Sequence, residues 1–115
     1  MNLLGPRGES QAAAFLAQKG YRILERNYRC RMGEIDLVAM EQETLCFVEV
    51  KARTRPAFSD PLESVTATKQ RRIIRAANLY LQAKNLAGRV ACRFDVVTIV
   101  EGGTPRLYKD AFQAG

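Results

Sequence analysis

Residues 33–52 read GEIDLVAMEQETLCFVEVKA, two runs of alternating apolar and polar residues around the polar segment Glu41-Gln42-Glu43-Thr44. Alternation with a period of two marks strands with one face buried, so the stretch predicts a β-hairpin. A turn centred on Gln42 and Glu43 sets the register. Ile35 then lies opposite Val50, Leu37 opposite Val48 and Ala39 opposite Cys46, which makes a wholly apolar face destined for the core. The other face pairs Val38 with Phe47, Asp36 with Glu49 and Glu34 with Lys51, with Met40 and Leu45 near the turn. Charge therefore gathers at the end of the hairpin remote from the turn.

Carboxylates directly opposed across two strands stand ~5 Å apart at Cβ and repel each other, so Asp36 and Glu49 call for something positive between them. A divalent cation with oxygen ligands fits, because Mg²⁺ accepts one or two carboxylates, keeps several waters and takes further oxygens from phosphate. The competing reading is of solvated residues at a sheet end, with Glu34–Lys51 as a surface ion pair worth ~0–1 kcal/mol. A bulge or register slip would separate Asp36 from Glu49.

Residues 7–19 are rich in helix formers and Gly20 supplies a stop, which predicts a first helix. At helical spacing Glu9 shares a stripe with Ala12, Ala13 and Leu16, while Ser10, Gln11 and Gln18 point away. A carboxylate on that stripe either has a partner or simply meets the helix dipole at an exposed first turn. Residues 21–31 suit a first strand and turn, and residues 53–65, with Pro56 and Pro61, read as a loop. Thr66 or Thr68 can cap a second helix running to about Lys84, with Ile73, Ile74, Ala77 and Leu81 as its apolar stripe. Residues 90–100 form a strong strand, Gly102-Gly103 a turn, and residues 105–112 a weaker last strand. Helix, three strands, helix and two strands imply a single α/β or α+β domain over residues 1–115, with helices packed on a mixed sheet.

Composition narrows the chemistry. The 115 residues contain no histidine, which removes imidazole bases, Ser-His-Asp and Cys-His pairs, and His-containing zinc sites. Three cysteines, Cys30, Cys46 and Cys92, show no C-x-x-C spacing, so neither a disulfide framework nor a thiolate cage is expected. A reducing cytoplasm is the expected compartment. No apolar run is long enough for a membrane span, and the first six residues do not read as a signal peptide. The net charge of +6 favours an anionic partner, most often nucleic acid.

The start Gly5-Pro6-Arg7-Gly8-Glu9, the runs GEIDLVA and FVEVKAR, and the later RFDVV are spread from residue 5 to residue 97, so the resemblance they carry extends over nearly the whole chain. Together they resemble the YraN-like family of small bacterial proteins, regarded as predicted nucleases. The constellation of Glu9, Asp36 and Glu49-Val50-Lys51 on a helix and a hairpin resembles the PD-(D/E)XK superfamily, nearest in size and spacing to the archaeal Holliday-junction resolvases. The resemblance implies a restriction-endonuclease-like αβββαβ core. It further implies that Asp36 and Glu49 bind Mg²⁺ or Mn²⁺ with the Val50 carbonyl as a further ligand, and that Glu9 completes the shell. Lys51 would stand beside the attacking water. One departure is that Ile35-Asp36 replaces the superfamily's Pro-Asp, and Glu34 adds an acid whose role stays open. A bound metal lowers the pKa of water and screens phosphate, which suits a chain without histidine.

Arg53 and Arg55 follow the Glu49-Val50-Lys51 strand and suit a phosphate-clamping loop. Lys69, Arg71, Arg72 and Arg75 lie on the side of the second helix away from Ile73, Ala77 and Leu81, where they could track a nucleic-acid backbone. For both groups the bland alternative is a solvated surface. Few aromatics and no Trp give little support for base-stacking platforms. Asp95 and Tyr21 read as structural, and Cys46 as a small core residue. The expectation is a metal-dependent endonuclease acting on DNA, branched or otherwise structured, and the resolvase resemblance suggests a homodimer. The alternatives are a non-catalytic nucleic-acid-binding module of the same fold and a protein-interaction domain.

Overall fold

A computed structural model describes residues 5–55, 62 and 65–114. Its elements run α1 (Gly5–Gln18), β1 (Tyr21–Cys30), β2 (Gly33–Glu41), β3 (Thr44–Arg53), α2 (Ala67–Ala83), β4 (Ala91–Val100) and β5 (Arg106–Phe112). The five strands form one sheet in chain order. β1, β2 and β3 pair antiparallel, β3 and β4 pair parallel, and β5 returns antiparallel to β4. A parallel pair needs a long connection between its members, and α2 is that crossover. The expected α/β class and its αβββαβ order are both present, followed by β5.

Local signals explain the boundaries. Gly20 takes φ +93°, a conformation open to glycine, and turns α1 into β1. Thr66 caps α2, its side chain accepting from the Lys69 N–H at 3.2 Å. Of the expected loop over residues 53–65, Arg53 belongs to β3 and Arg55 lies in a bend, while most of the rest lies outside the described residues.

Each face of the sheet carries one helix. Beneath α2, Ile35, Val38, Leu45, Phe47, Phe94 and Val96 pack against Ile73, Ala76, Ala77 and Tyr80. Beneath α1, Leu37, Ala39, Cys46, Val48, Val97 and Ile99 pack against Ala12, Ala13 and Leu16. The α2 stripe is rotated from the expected one, since Ala76 and Tyr80 are buried whereas Ile74 and Leu81 are only partly so. The Tyr80 ring decides this, meeting Phe47 and Tyr28 edge-on at 5.8 and 5.2 Å between centroids.

The hairpin register is the expected one from Leu37–Val48 through Val38–Phe47, Ala39–Cys46 and Met40–Leu45 to Glu41–Thr44. Beyond Leu37–Val48 the β2–β3 pairing stops. There the alternation also breaks, because Ile35 joins the α2 layer with Val38, while Val50 stays in the α1 layer with Leu37. The expected Ile35–Val50 contact on one apolar face is therefore not made. Asp36 supplies the reason, since its Oδ2 accepts the Val50 N–H at 2.7 Å and a side chain takes over where the backbone ladder ends. On the other flank, Asn27 lies between the pairs Arg26–Leu37 and Tyr28–Ile35 with φ +52°.

Candidate functional site

The parting of β2 and β3 makes the site. Asp36 sits at its centre, and Glu9, Glu34 and Asp36 each offer a carboxylate oxygen, all within 4.8 Å of one another. Glu9 reaches this point because of Gly8. A Cβ added at Gly8 would stand 3.0 Å from the Ala52 Cβ, so only a bare backbone lets α1 lie this close to the end of β3. As expected, Ala12, Ala13 and Leu16 are buried behind a half-buried Glu9, and Ser10, Gln11 and Gln18 are exposed.

Electrostatics register the crowding. The Asp36 carboxyl is pushed up to about 7, chiefly by burial and then by repulsion from Glu49 and Glu9, with the Val50 N–H opposing. Glu49, only 6% exposed, forms ion pairs with Lys69 Nζ at 2.8 Å and Lys51 Nζ at 3.8 Å. Lys51 is pulled down to about 8 by burial and by the neighbouring Lys69, against the pull of Glu49 and Asp36. Burial also works to lower Lys69, but its bond to Glu49 and the other nearby groups outweigh that and raise it.

Glu9, Asp36, Glu49 and Lys51 thus come together, and Val50 enters through its N–H. Glu34 does not pair with Lys51 as the hairpin register implied. Its carboxylate joins Glu9 and Asp36 and lies 3.7 Å from Arg29 on β1, because the strands have separated before the Glu34–Lys51 position is reached. The grouped side chains offer carboxylate oxygens only, hard donors that could hold Mg²⁺ or Mn²⁺ and do not suit a thiophilic metal.

Beside the acids runs a cleft of about 430 Å³ lined by Gly33, Glu34, Thr66, Thr68, Lys69, Arg72 and Ile73. α2 rides close over the start of β2 here, with Arg72 Cβ 3.6 Å from the position of a Cβ on Gly33. Lys69 therefore does not face away from the sheet as expected. It lies one helical turn before Ile73, on the inward stripe, and its ammonium reaches Glu49. Arg72 is exposed at the cleft, Arg71 and Arg75 are exposed on α2, and Arg53 and Arg55 do not line the cleft.

A second polar cluster at the opposite end of the hairpin is fully paired. Buried Asp95 receives Arg93 Nε and the Asp110 N–H on Oδ1, and Tyr21 OH and Arg93 Nη2 on Oδ2, at 2.8–3.1 Å. Glu41 accepts from Arg93 at 2.8 Å and Lys109 at 2.7 Å. With every carboxylate oxygen met, this network ties β1, β2, β4 and β5 together, and supports the structural reading of Asp95 and Tyr21. The parts played by Arg93, Glu41 and Lys109 carry no local signal, because they depend on strand neighbours far apart in the chain.

No helix among the described residues is long and apolar enough to cross a membrane. Residues 8–99 match the uncharacterised protein family UPF0102. A UPF0102 protein of Moorella thermoacetica is 54% identical over 95 residues, which are 83% of this chain and 78% of the relative. One of Chlorobium phaeobacteroides is 53% identical over 97 residues, covering 84% and 76% of the two chains. One of Alkalilimnicola ehrlichii is 47% identical over 110 residues, covering 96% and 86%. With four-fifths of its length matched by the family and relatives of this similarity along most of both chains, the protein belongs to the UPF0102 family.

Proposed function

We propose that this protein is a metal-dependent endonuclease of the PD-(D/E)XK type that hydrolyses phosphodiester bonds in DNA, branched or otherwise structured. The observation that carries the reading is the crowding of Asp36 by Glu9, Glu34 and Glu49 beside a half-buried Lys51. Four acids and one lysine without histidine suit a chemistry in which a bound Mg²⁺ or Mn²⁺ lowers the pKa of water and screens phosphate charge. Glu9, Glu34, Asp36 and Glu49 would hold the ion, with the Val50 carbonyl as the further expected ligand.

The residues of the chain supply the rest. Lys51 donates hydrogen bonds to a phosphate oxygen and stabilises charge that builds up there. Val50, through its N–H, fixes the Asp36 carboxylate in one orientation. Arg72 and Lys69 line the approach and neutralise backbone phosphates, while Arg53 and Arg55 leave β3 at the same end of the sheet. The overall charge of +6 draws a polyanion towards the cleft. A homodimer and a cytoplasmic location are parts of the same proposal.

A specific observation favours a second reading, a non-catalytic nucleic-acid-binding module. Glu49 already has a cation at 2.8 Å in Lys69, and a site satisfied by its own lysine has less need of a metal. End-labelled duplex, single-stranded, flap and four-way-junction DNA, incubated with Mg²⁺, Mn²⁺ or EDTA, separates the two. Cleavage by the wild type and not by Asp36→Asn supports the nuclease. Salt-dependent binding without products under any metal supports the module, and no binding at low salt overturns both.

A further inference from the structure

We infer that Lys69 links the two halves of this site, its ammonium neutralising Glu49 when the acid cluster lacks a metal and turning to an anionic phosphate in the cleft when a metal is bound. The inference rests on the nuclease reading and goes beyond it, because it makes metal loading and nucleic-acid binding interdependent through one side chain.

Three observations carry it. Lys69 is the shared member of the two groups, since its Nζ lies 2.8 Å from Glu49 Oε1 and it also lines the cleft with Thr66, Thr68 and Arg72. Glu49 is almost fully buried, so in the absence of another cation its charge has to be met from within the chain, and Lys69 makes the shorter of its two ion pairs. Lys69 itself keeps substantial access to solvent, with a side chain 39% exposed, so it can leave Glu49 by rotation of its own bonds. Lys51, at 19% exposure and on the strand itself, has no comparable freedom.

The electrostatics then set the sign. A cation held by the acids and an ammonium held by the same acids oppose each other, because each weakens the field that holds the other. An anion in the cleft reverses this, giving the displaced ammonium a new partner beside Arg72. Glu34, which belongs to the acid cluster and also lines the cleft, repels that anion until the cluster is neutralised. Metal and phosphate backbone therefore each favour the other's binding, and linkage requires the factor to be the same in both directions.

The test is Mn²⁺ binding to the full chain, read from free Mn²⁺ by electron paramagnetic resonance, with and without a phosphorothioate duplex that resists hydrolysis, and corrected for Mn²⁺ on duplex alone. In the wild type the duplex tightens Mn²⁺ binding about tenfold, and Mn²⁺ tightens duplex binding by the same factor. Lys69→Gln, which retains a donor for Glu49 without the charge, binds Mn²⁺ about tenfold more tightly than wild type without duplex and loses most of the linkage. Arg72→Gln weakens duplex binding but leaves the duplex-free Mn²⁺ affinity at the wild-type value. Equal Mn²⁺ affinity of wild type and Lys69→Gln overturns the inference alone, as does the same tightening in Arg72→Gln, which would mark a diffuse charge effect. Absence of linkage in the wild type overturns it even if Lys69→Gln fails to fold. Failure of wild type and folded variants alike to bind Mn²⁺ overturns the metal reading beneath it.

Discussion

Asp36 and Val50 are joined across β2 and β3 by a side-chain bond, Oδ2 accepting the Val50 N–H at 2.7 Å where the backbone pairing of the two strands has ended. The acid thus helps to complete the sheet while standing among other acids. A residue held so is stressed electrostatically, and removal of its charge has a calculable sign. The folded carboxyl holds its proton up to about 7, whereas the unfolded one releases it near 3.8. Between these values the folded protein binds more protons than the unfolded one, so stability falls as pH rises through the window.

Asp36→Asn retains an oxygen for the Val50 N–H and has no charge to repel Glu49 or Glu9. Without metal it is therefore more stable than wild type by about 1–2 kcal/mol above pH 7, and the gap closes towards pH 3.8 and below, where the carboxyl becomes protonated in the unfolded chain as well as in the folded one. Urea denaturation at pH 4 and pH 8 in EDTA checks this. Under the metal-site reading, saturating Mn²⁺ narrows or reverses the difference at pH 8, because a ligand that binds only the folded wild type stabilises it.

Lys51 has the opposite slope. Its folded value of about 8 lies below the ordinary 10.5, so the unfolded chain binds more protons between them and stability from this group rises with pH across that range. Lys51→Met removes the rise, which urea denaturation at pH 8 and pH 10 checks. Under the nuclease reading Lys51→Ala also lowers the cleavage rate about 10²–10³-fold, the cost of removing one donor to developing charge. Single-turnover cleavage measures it. A rate within threefold of wild type would deny Lys51 a role in the chemistry.

Much of this arrangement is legible in the amino-acid sequence. The alternation from Leu37 to Glu41 against Thr44 to Val48 fixes its own register, because a slip by one residue would turn every apolar side chain to the wrong layer. The inward face of α2 is legible only in part: Ile73 and Ala77 lie on it as their spacing implies, but Ala76 and Tyr80 take the places that apolar character gives to Ile74 and Leu81, and the charge of Lys69 masks its inward position. What alternation cannot reveal is where it stops. The break at Asp36 depends on a side chain competing for a backbone N–H fourteen residues away, a tertiary contact with no periodic signal. The same break moves Glu34 towards Arg29, whereas an unbroken ladder would set it opposite Lys51.

The paired cluster around Asp95 predicts losses of stability with no change at the acids. Arg93→Met leaves a fully buried carboxylate without its bidentate partner and costs about 3–5 kcal/mol. Tyr21→Phe removes a hydroxyl that donates to the Asp95 carboxylate and accepts from Arg93, and costs about 1.5–3 kcal/mol. Urea denaturation gives both values. Mn²⁺ binding by the folded fraction stays at the wild-type affinity, because none of these residues belongs to the Glu9, Glu34 and Asp36 group.

Gly8 offers the sharpest separation of position from charge. Its missing Cβ is what lets α1 approach Ala52, and Glu9 is the next residue along. Within a helix alanine is ordinarily favoured over glycine by roughly 0.5–1 kcal/mol, so Gly8→Ala sets that gain against a contact that forces the helix and strand apart. Gly8→Val has no such compensation and costs about 1–3 kcal/mol through overpacking. Both variants keep every acid, yet both move the Glu9 carboxylate away from Asp36 and Glu34 and weaken Mn²⁺ binding, Gly8→Val as severely as Glu9→Gln. Calorimetric titration with Mn²⁺ on the three variants measures this. Full affinity in Gly8→Val alongside a loss in Glu9→Gln would show that α1 can retreat from β3 without taking its carboxylate out of the site.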